Sequence, residues 1–167
     1  MARGEIYVKY HNGMVSVPTS ARFNYSNGTY TQSNSGQWVD AFLAWGVSMD
    51  STALSALMTP PPLKDMIENK SAIENGKSVI RSGRKYDERT LNLGLNIIAA
   101  SKSDFLEKYG YFCSQVLGYG QLDISTKYQN GVIYHLDYMS CNQFGEFCLS
   151  MGHFVLRVSE SNPANRT

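Results

Sequence analysis

Apolar and polar residues alternate strictly from Arg89 to Ile97: Leu91, Leu93, Leu95 and Ile97 fall on one face, Asn92, Gly94 and Asn96 on the other. A period of two is the mark of a strand with one buried face. The same alternation returns twice. Val132, Tyr134, Leu136 and Tyr138 alternate with Ile133, His135 and Asp137, and Phe154, Leu156 and Val158 alternate with Val155, Arg157 and Ser159. Between the first two stretches the period changes. Phe105, Leu106, Tyr109, Phe112, Cys113, Val116 and Leu117 recur at helical spacing and predict one amphipathic helix over about 101–117. Ser101 reads as its N-cap, with Asp104 near the positive end of the helix dipole. Gly118 and Gly120 stop the helix, and Gly110 weakens its middle by about 1 kcal/mol relative to alanine.

Asn-Gly pairs mark three candidate hairpins along the chain, each pair able to supply the positive-φ positions of a tight turn. Asn12-Gly13 predicts a hairpin between Ile6–Tyr10 and Met14–Val17. Asn27-Gly28 predicts one between Phe23–Tyr25 and Thr29–Thr31, and Asn130-Gly131 one between Leu122–Tyr128 and Val132–Tyr138. Trp38–Trp45 reads as a further strand, although Trp38, Phe42 and Trp45 also fall at helical spacing. The character then changes. Over about 46–88 the chain carries Pro60-Pro61-Pro62, Gly76, Gly83 and mixed charge, which predicts a long loop or arm with one or two helical turns at Leu63–Lys70. A connection of that length inside a compact domain usually has a task.

Strands, one helix and strands again give a mainly β (α+β) chain, expected to be a single domain over 1–167. One helix cannot cover both faces of so large a sheet. The economical packing is an antiparallel β-sandwich or partly closed barrel, flanked by the helix at about 101–117.

Composition narrows the chemistry. A net charge of +1 gives no bulk attraction to nucleic acid or membrane, and no apolar run nears the roughly 18 residues that span a bilayer. Three cysteines argue against a disulfide framework. His135 and Asp137 share a strand face, but no motif places a nucleophile beside them. Cys141, Cys148 and His153 lack the close cysteine pair of a structural zinc site, and Cys113 reads as a core residue on the helix stripe. No phosphate-binding glycine loop occurs, and the basic cluster at 81–85 reads as a solvated loop. Trp38 and Trp45 read as core or interface anchors. No residue is assigned a catalytic, cofactor-binding or metal-ligating role, and no enzymatic activity is expected.

Several segments resemble tail components of Bacteroidetes phages and prophages: 54–68, Gly76–Val79, Asp87–Leu91, Asp104–Leu106, Tyr138–Phe144 and Asn162–Arg166. The order strand, helix, hairpin, strand, Asn-Pro also resembles the N-terminal domain of siphophage distal tail proteins, a fold shared with tail-tube proteins. The resemblance implies a β-sandwich flanked by a helix and assembled as a hexameric ring. Such a ring contacts other tail proteins, such as tube or hub, and lets DNA pass through its lumen without specific binding. It also implies a virion-tail location after synthesis in the bacterial host cytoplasm. The sequence stops at Thr167, where longer distal tail proteins continue into a carbohydrate-binding-like domain, so no direct receptor-binding role is expected. The alternative is a monomeric β-sandwich that binds a small ligand or carbohydrate through exposed aromatic residues.

Overall fold

The computed structural model describes residues 4–15, 17–65, 67–70, 77–80, 85–148 and 150–167, the side chains of 67–70, 77–80 and 146–148 excepted. The strands are β1 (Ile6–Lys9), β2 (Arg22–Ser26), β3 (Thr29–Gln32), β4 (Trp38–Asp40), β5 (Val47–Met49), β6 (Ile67–Lys70), β7 (Lys77–Ile80), β8 (Arg89–Ile98), β9 (Gln121–Thr126), β10 (Gln129–Cys148) and β11 (Met151–Glu160). Helix α1 (Ala41–Trp45) lies between β4 and β5, α2 (Ala53–Met58) follows β5, and α3 (Lys102–Phe112) lies between β8 and β9.

Nine strands make one antiparallel sheet in the order β3-β2-β4-β1-β9-β10-β11-β8-β5, while β6 and β7 form a separate two-stranded sheet. The large sheet coils without closing: β5, at one edge, returns against β1 without a ladder between them. The predicted mainly β architecture with few helices is therefore what the chain adopts. The coil encloses the main core, to which β8 gives Leu93, Leu95 and Ile97, β11 gives Phe154, Leu156 and Val158, and β10 gives Tyr134 and Leu136. These are the inward positions of the alternating stretches. β1 is buried on both faces. Ile6 and Val8 join the main core, and Tyr7 joins a second cluster with Phe23, Tyr30 and Trp38.

Helix α3 starts as its sequence predicts. The Ser101 hydroxyl accepts the Asp104 N–H at 3.2 Å, and the Asp104 carboxylate accepts the Ala100 N–H at 3.1 Å, a reciprocal cap. The helix continues through Cys113–Leu117 as a π-helical turn, closed by the Gly118 N–H on the Cys113 carbonyl at 2.8 Å. Leu106 departs from the predicted stripe and is exposed. It lies about 100° around the helix from Phe105, off the face that Phe105, Phe112 and Val116 bury.

Of the three predicted hairpins, Asn27-Gly28 forms as expected, with φ of 50° and 77° between β2 and β3. Asn12-Gly13 is a turn, but no return strand follows among the described residues of Met14–Val17. Both sides of β1 are already taken, Tyr7 pairing with Asp40 on β4 and with Ser125 on β9. At the third site β9 and β10 do form a hairpin. It reverses at Lys127-Tyr128, and Gly131, at φ 82°, sits in a bulge between Gln129 and Tyr134.

Trp38–Trp45 is half strand and half helix. Asp40 ends β4 and caps α1, accepting the N–H groups of Phe42 (3.0 Å) and Leu43 (3.4 Å), and Gly46 closes α1 at φ 70°. The 46–88 segment is also divided. Val47, Met49, Ala53 and Leu57 belong to the core, so its first third is body rather than loop. The remainder carries the β6–β7 hairpin, with a Leu63–Tyr86 bridge at its root. The described residues of the predicted helical turns at Leu63–Lys70, namely 63–65 and 67–70, are not helical, and 67–70 form β6. Pro60-Pro61-Pro62 sets the chain running antiparallel to 85–87, with the Asp87 N–H on the Pro62 carbonyl at 2.8 Å and the Lys64 N–H on the Lys85 carbonyl at 2.9 Å. Residues 66, 71–76 and 81–84 of the predicted arm lie outside the described residues.

Candidate assembly surfaces

Both histidines weighed for chemistry have a carboxylate partner. His135 Nδ1 lies 2.7 Å from Asp123 Oδ1, and its Nε2 lies 3.0 Å from the Thr167 carbonyl oxygen. The acid beside His135 is therefore Asp123, from the neighbouring strand. Burial works against a charged His135 ring, but Asp123 and the Thr167 carbonyl outweigh it and hold its pKa above the ordinary value.

His153 Nε2 lies 2.8 Å from Asp50 Oδ2. Asp50 Oδ1 accepts the N–H groups of Thr52 (2.8 Å) and Ala53 (2.9 Å) and the Thr52 hydroxyl (2.7 Å). Burial opposes the Asp50 charge, yet these hydrogen bonds prevail and lower its pKa. The carboxyl rests directly over Gly94, where a Cβ would fall 1.9 Å from Oδ2.

Cys141 pairs across the ladder with Leu156 and lines a small pocket with Cys113, while His153 pairs with Gly145 and reaches Asp50. The Cys148 side chain and residues 81–84 of the basic cluster lie outside the described residues, among which no group of three metal-ligating side chains occurs. Trp38 and Trp45 are buried, Trp45 against Phe112 at 5.7 Å. Neither is an exposed platform for a sugar, which removes the tryptophans from the ligand-binding alternative.

Two surface features stand out instead. The first is the free edge of β10. Its ladder with β9 ends at Asp137–Gln121, and beyond Tyr138 the strand pairs, among the described residues, with β11 alone, with three register shifts along the way. Residues 139–145 are exposed, uncharged and without proline, and they include Met139 and Phe144. Natural sheets usually blunt such an edge with charge or bulges. Here only the bulges are present.

The second is the arm and its root. Where the arm meets the body, Lys64, Lys85, Tyr86, Glu88, Ser161 and Asn162 line an open groove of about 760 Å³. Beside it lies a buried ionic cluster. Glu160 is fully buried, and its Oε1 accepts Arg89 Nε at 2.5 Å and Arg166 Nη2 at 3.1 Å, while Oε2 accepts Arg166 Nε at 3.2 Å. Arg89 also donates to the carbonyls of Thr59 (2.5 Å) and Leu57 (2.9 Å) at the end of α2. Both guanidinium groups lie over the Tyr134 ring. This cluster was not legible from spacing, because its members stand 71 and 6 residues apart.

No protein-family model and no curated protein matches the chain. Among solved structures it is similar to the SPP1 Dit (gp 19.1) protein, described as a paradigm of the hub adsorption apparatus in phages infecting Gram-positive bacteria. The TM-score is 0.46 at 12% identity, over 64% of this chain and 42% of that one, so the match spans under half of that protein's length.

Proposed function

We propose that this chain is a structural component of a phage tail, a distal-tail or tube-type subunit that assembles with copies of itself and catalyses no reaction. One observation carries the reading. Four of the six segments that resemble tail components, scattered in sequence, fall on the two surface features. The stretch 54–68 supplies α2 and the outgoing root of the arm, Asp87–Leu91 supplies the returning root with Arg89, and Asn162–Arg166 supplies Arg166 and part of the groove. Tyr138–Phe144 is the free edge of β10.

In this reading the arm crosses to a neighbouring subunit. A head-to-tail contact of that kind closes into a ring by rotation, here a hexamer around the DNA channel, with tube or hub proteins above and below. DNA passes through the lumen without specific binding, in keeping with a net charge of +1. The protein is made in the bacterial host cytoplasm and ends in the virion tail. Among the described residues no helix is long and apolar enough to cross a membrane.

Sedimentation equilibrium tests the proposal. The full chain is expected to give a multiple of 18.6 kDa, and a monomer at every concentration would overturn the self-assembly reading. Replacing residues 65–84 by an Asn-Gly turn joins Lys64 to Lys85, whose backbones already meet. That variant is expected to keep the melting temperature of the body and lose the oligomer. An unchanged oligomer would remove the arm from the interface.

A further inference from the structure

We infer that residues 160–167 form a clasp that sets the position of the arm root, with Arg166 acting through Glu160 on Arg89 as a positioning residue. The chain of contacts is continuous. The tail turns at Asn162–Asn165, the Asn165 N–H reaching the Asn162 carbonyl at 3.1 Å, and then runs along β10. There the Ile133 N–H donates to the Arg166 carbonyl at 2.8 Å, and His135 Nε2 meets the Thr167 carbonyl oxygen at 3.0 Å. These backbone anchors hold the Arg166 guanidinium against both oxygens of Glu160.

What Glu160 holds in turn is the arm. Helix α2 has six residues, too few to be stable alone, and its last carbonyls have no partner within the helix. Arg89 supplies that partner. Its Nη atoms reach the carbonyls of Leu57, near the end of α2, and Thr59, next to the three prolines, while its own backbone begins β8, where the arm returns. One guanidinium therefore ties the outgoing root to the returning one, and its orientation depends on Glu160.

Arg166 is the outer lid of this cluster, with a quarter of its side chain exposed against none for Glu160. When the lid leaves, water enters, Glu160 Oε2 loses its partner, and the remaining Arg89–Glu160 pair weakens in the higher dielectric. A contact that lifts the tail from β10 is thus transmitted to the arm root. The inference concerns coupling inside one subunit. It can fail while the assembly reading stands, and the reverse.

Hydrogen exchange read by mass spectrometry on the full chain tests it, comparing wild type with Arg166→Gln and Arg166→Lys. The expected result for Arg166→Gln, which loses both charged hydrogen bonds to Glu160, is exchange at least about tenfold faster in peptides covering 53–64 and 85–91, with β1 and β4 unchanged. Arg166→Lys keeps the charge and is expected to restore part of the protection, which also guards against a variant that merely folds poorly. Wild-type exchange at 53–64 in a variant whose tail has been freed would overturn the clasp, as would an equal acceleration in β1 and β4.

Discussion

Gly94→Ala tests how tightly the Asp50 carboxylate is seated. Gly94 sits in the middle of β8 with no positive φ, so the backbone does not require glycine there. The contact above it does. An added Cβ would lie 1.9 Å from Asp50 Oδ2 and 2.5 Å from its Cγ, so the carboxyl must move by more than 1 Å. Movement would be cheap for a free side chain, but this one is pinned. Its oxygens take hydrogen bonds from Thr52, Ala53 and His153, and the Asp50 N–H is bound to the Gly94 carbonyl at 3.1 Å. Losing the carboxylate's hydrogen bonds at the start of α2 costs about 1 kcal/mol, and the partly exposed His153 pair adds about 0.5–1 kcal/mol. Displacing packed atoms adds about 1 kcal/mol, while the lower unfolded-state entropy of alanine returns about 0.5–1 kcal/mol. The net is about 1–3 kcal/mol of destabilisation, a fall of roughly 3–10 °C in Tm for a chain of this size. Thermal unfolding by circular dichroism measures it, and a double-mutant cycle isolates the cause. Against an Asp50→Ala background the same substitution meets no carboxyl and is expected to be neutral or slightly stabilising. An equal cost in both backgrounds would refute the reasoning.

Arg89→Met strips a fully buried carboxylate of one of its two partners and leaves the Leu57 carbonyl without its donor, so urea unfolding followed by the fluorescence of buried Trp45 is expected to show a loss of about 3–5 kcal/mol. A loss under about 1 kcal/mol would mean the cluster is solvated. The raised pKa of His135 sets a pH dependence: its contribution is complete below the ordinary value of 6.5 and disappears as pH rises through the higher folded value. Asp123 from β9 and the Thr167 carbonyl face the ring and favour its charge, Lys9 from β1 opposes it, and Asp137 lies two residues along the same strand. Proton NMR titration is expected to place His135 above 6.5 in the wild type and to move it down in Asp123→Asn, and a titration unmoved by that substitution would contradict the assignment.

The body of this fold was legible because its strands bury one face each, so Leu91, Leu93, Leu95 and Ile97 announce β8 without help from the rest of the chain. The same logic failed wherever both faces or both edges of an element are used. β1 offers Ile6 and Val8 to one core and Tyr7 to another, and β4 and β9 occupy both its edges, which denied Asn12-Gly13 its hairpin. Trp38–Trp45 carried two periodicities because it is two elements, divided at Asp40, whose side chain caps the helix as its backbone ends the strand. The two candidate surfaces were harder to read for a different reason. Met139–Gly145 continues β10 beyond the end of β9, where its residues stay exposed, so no alternation records its strand; its plain, uncharged sequence is the trace of an edge without a ladder on the β9 side. The clasp is less visible still, since Arg89, Glu160 and Arg166 look like three ordinary surface charges until the strands bring them together. No local pattern links the three, and they meet only in the fold, where both guanidinium groups bind one carboxylate.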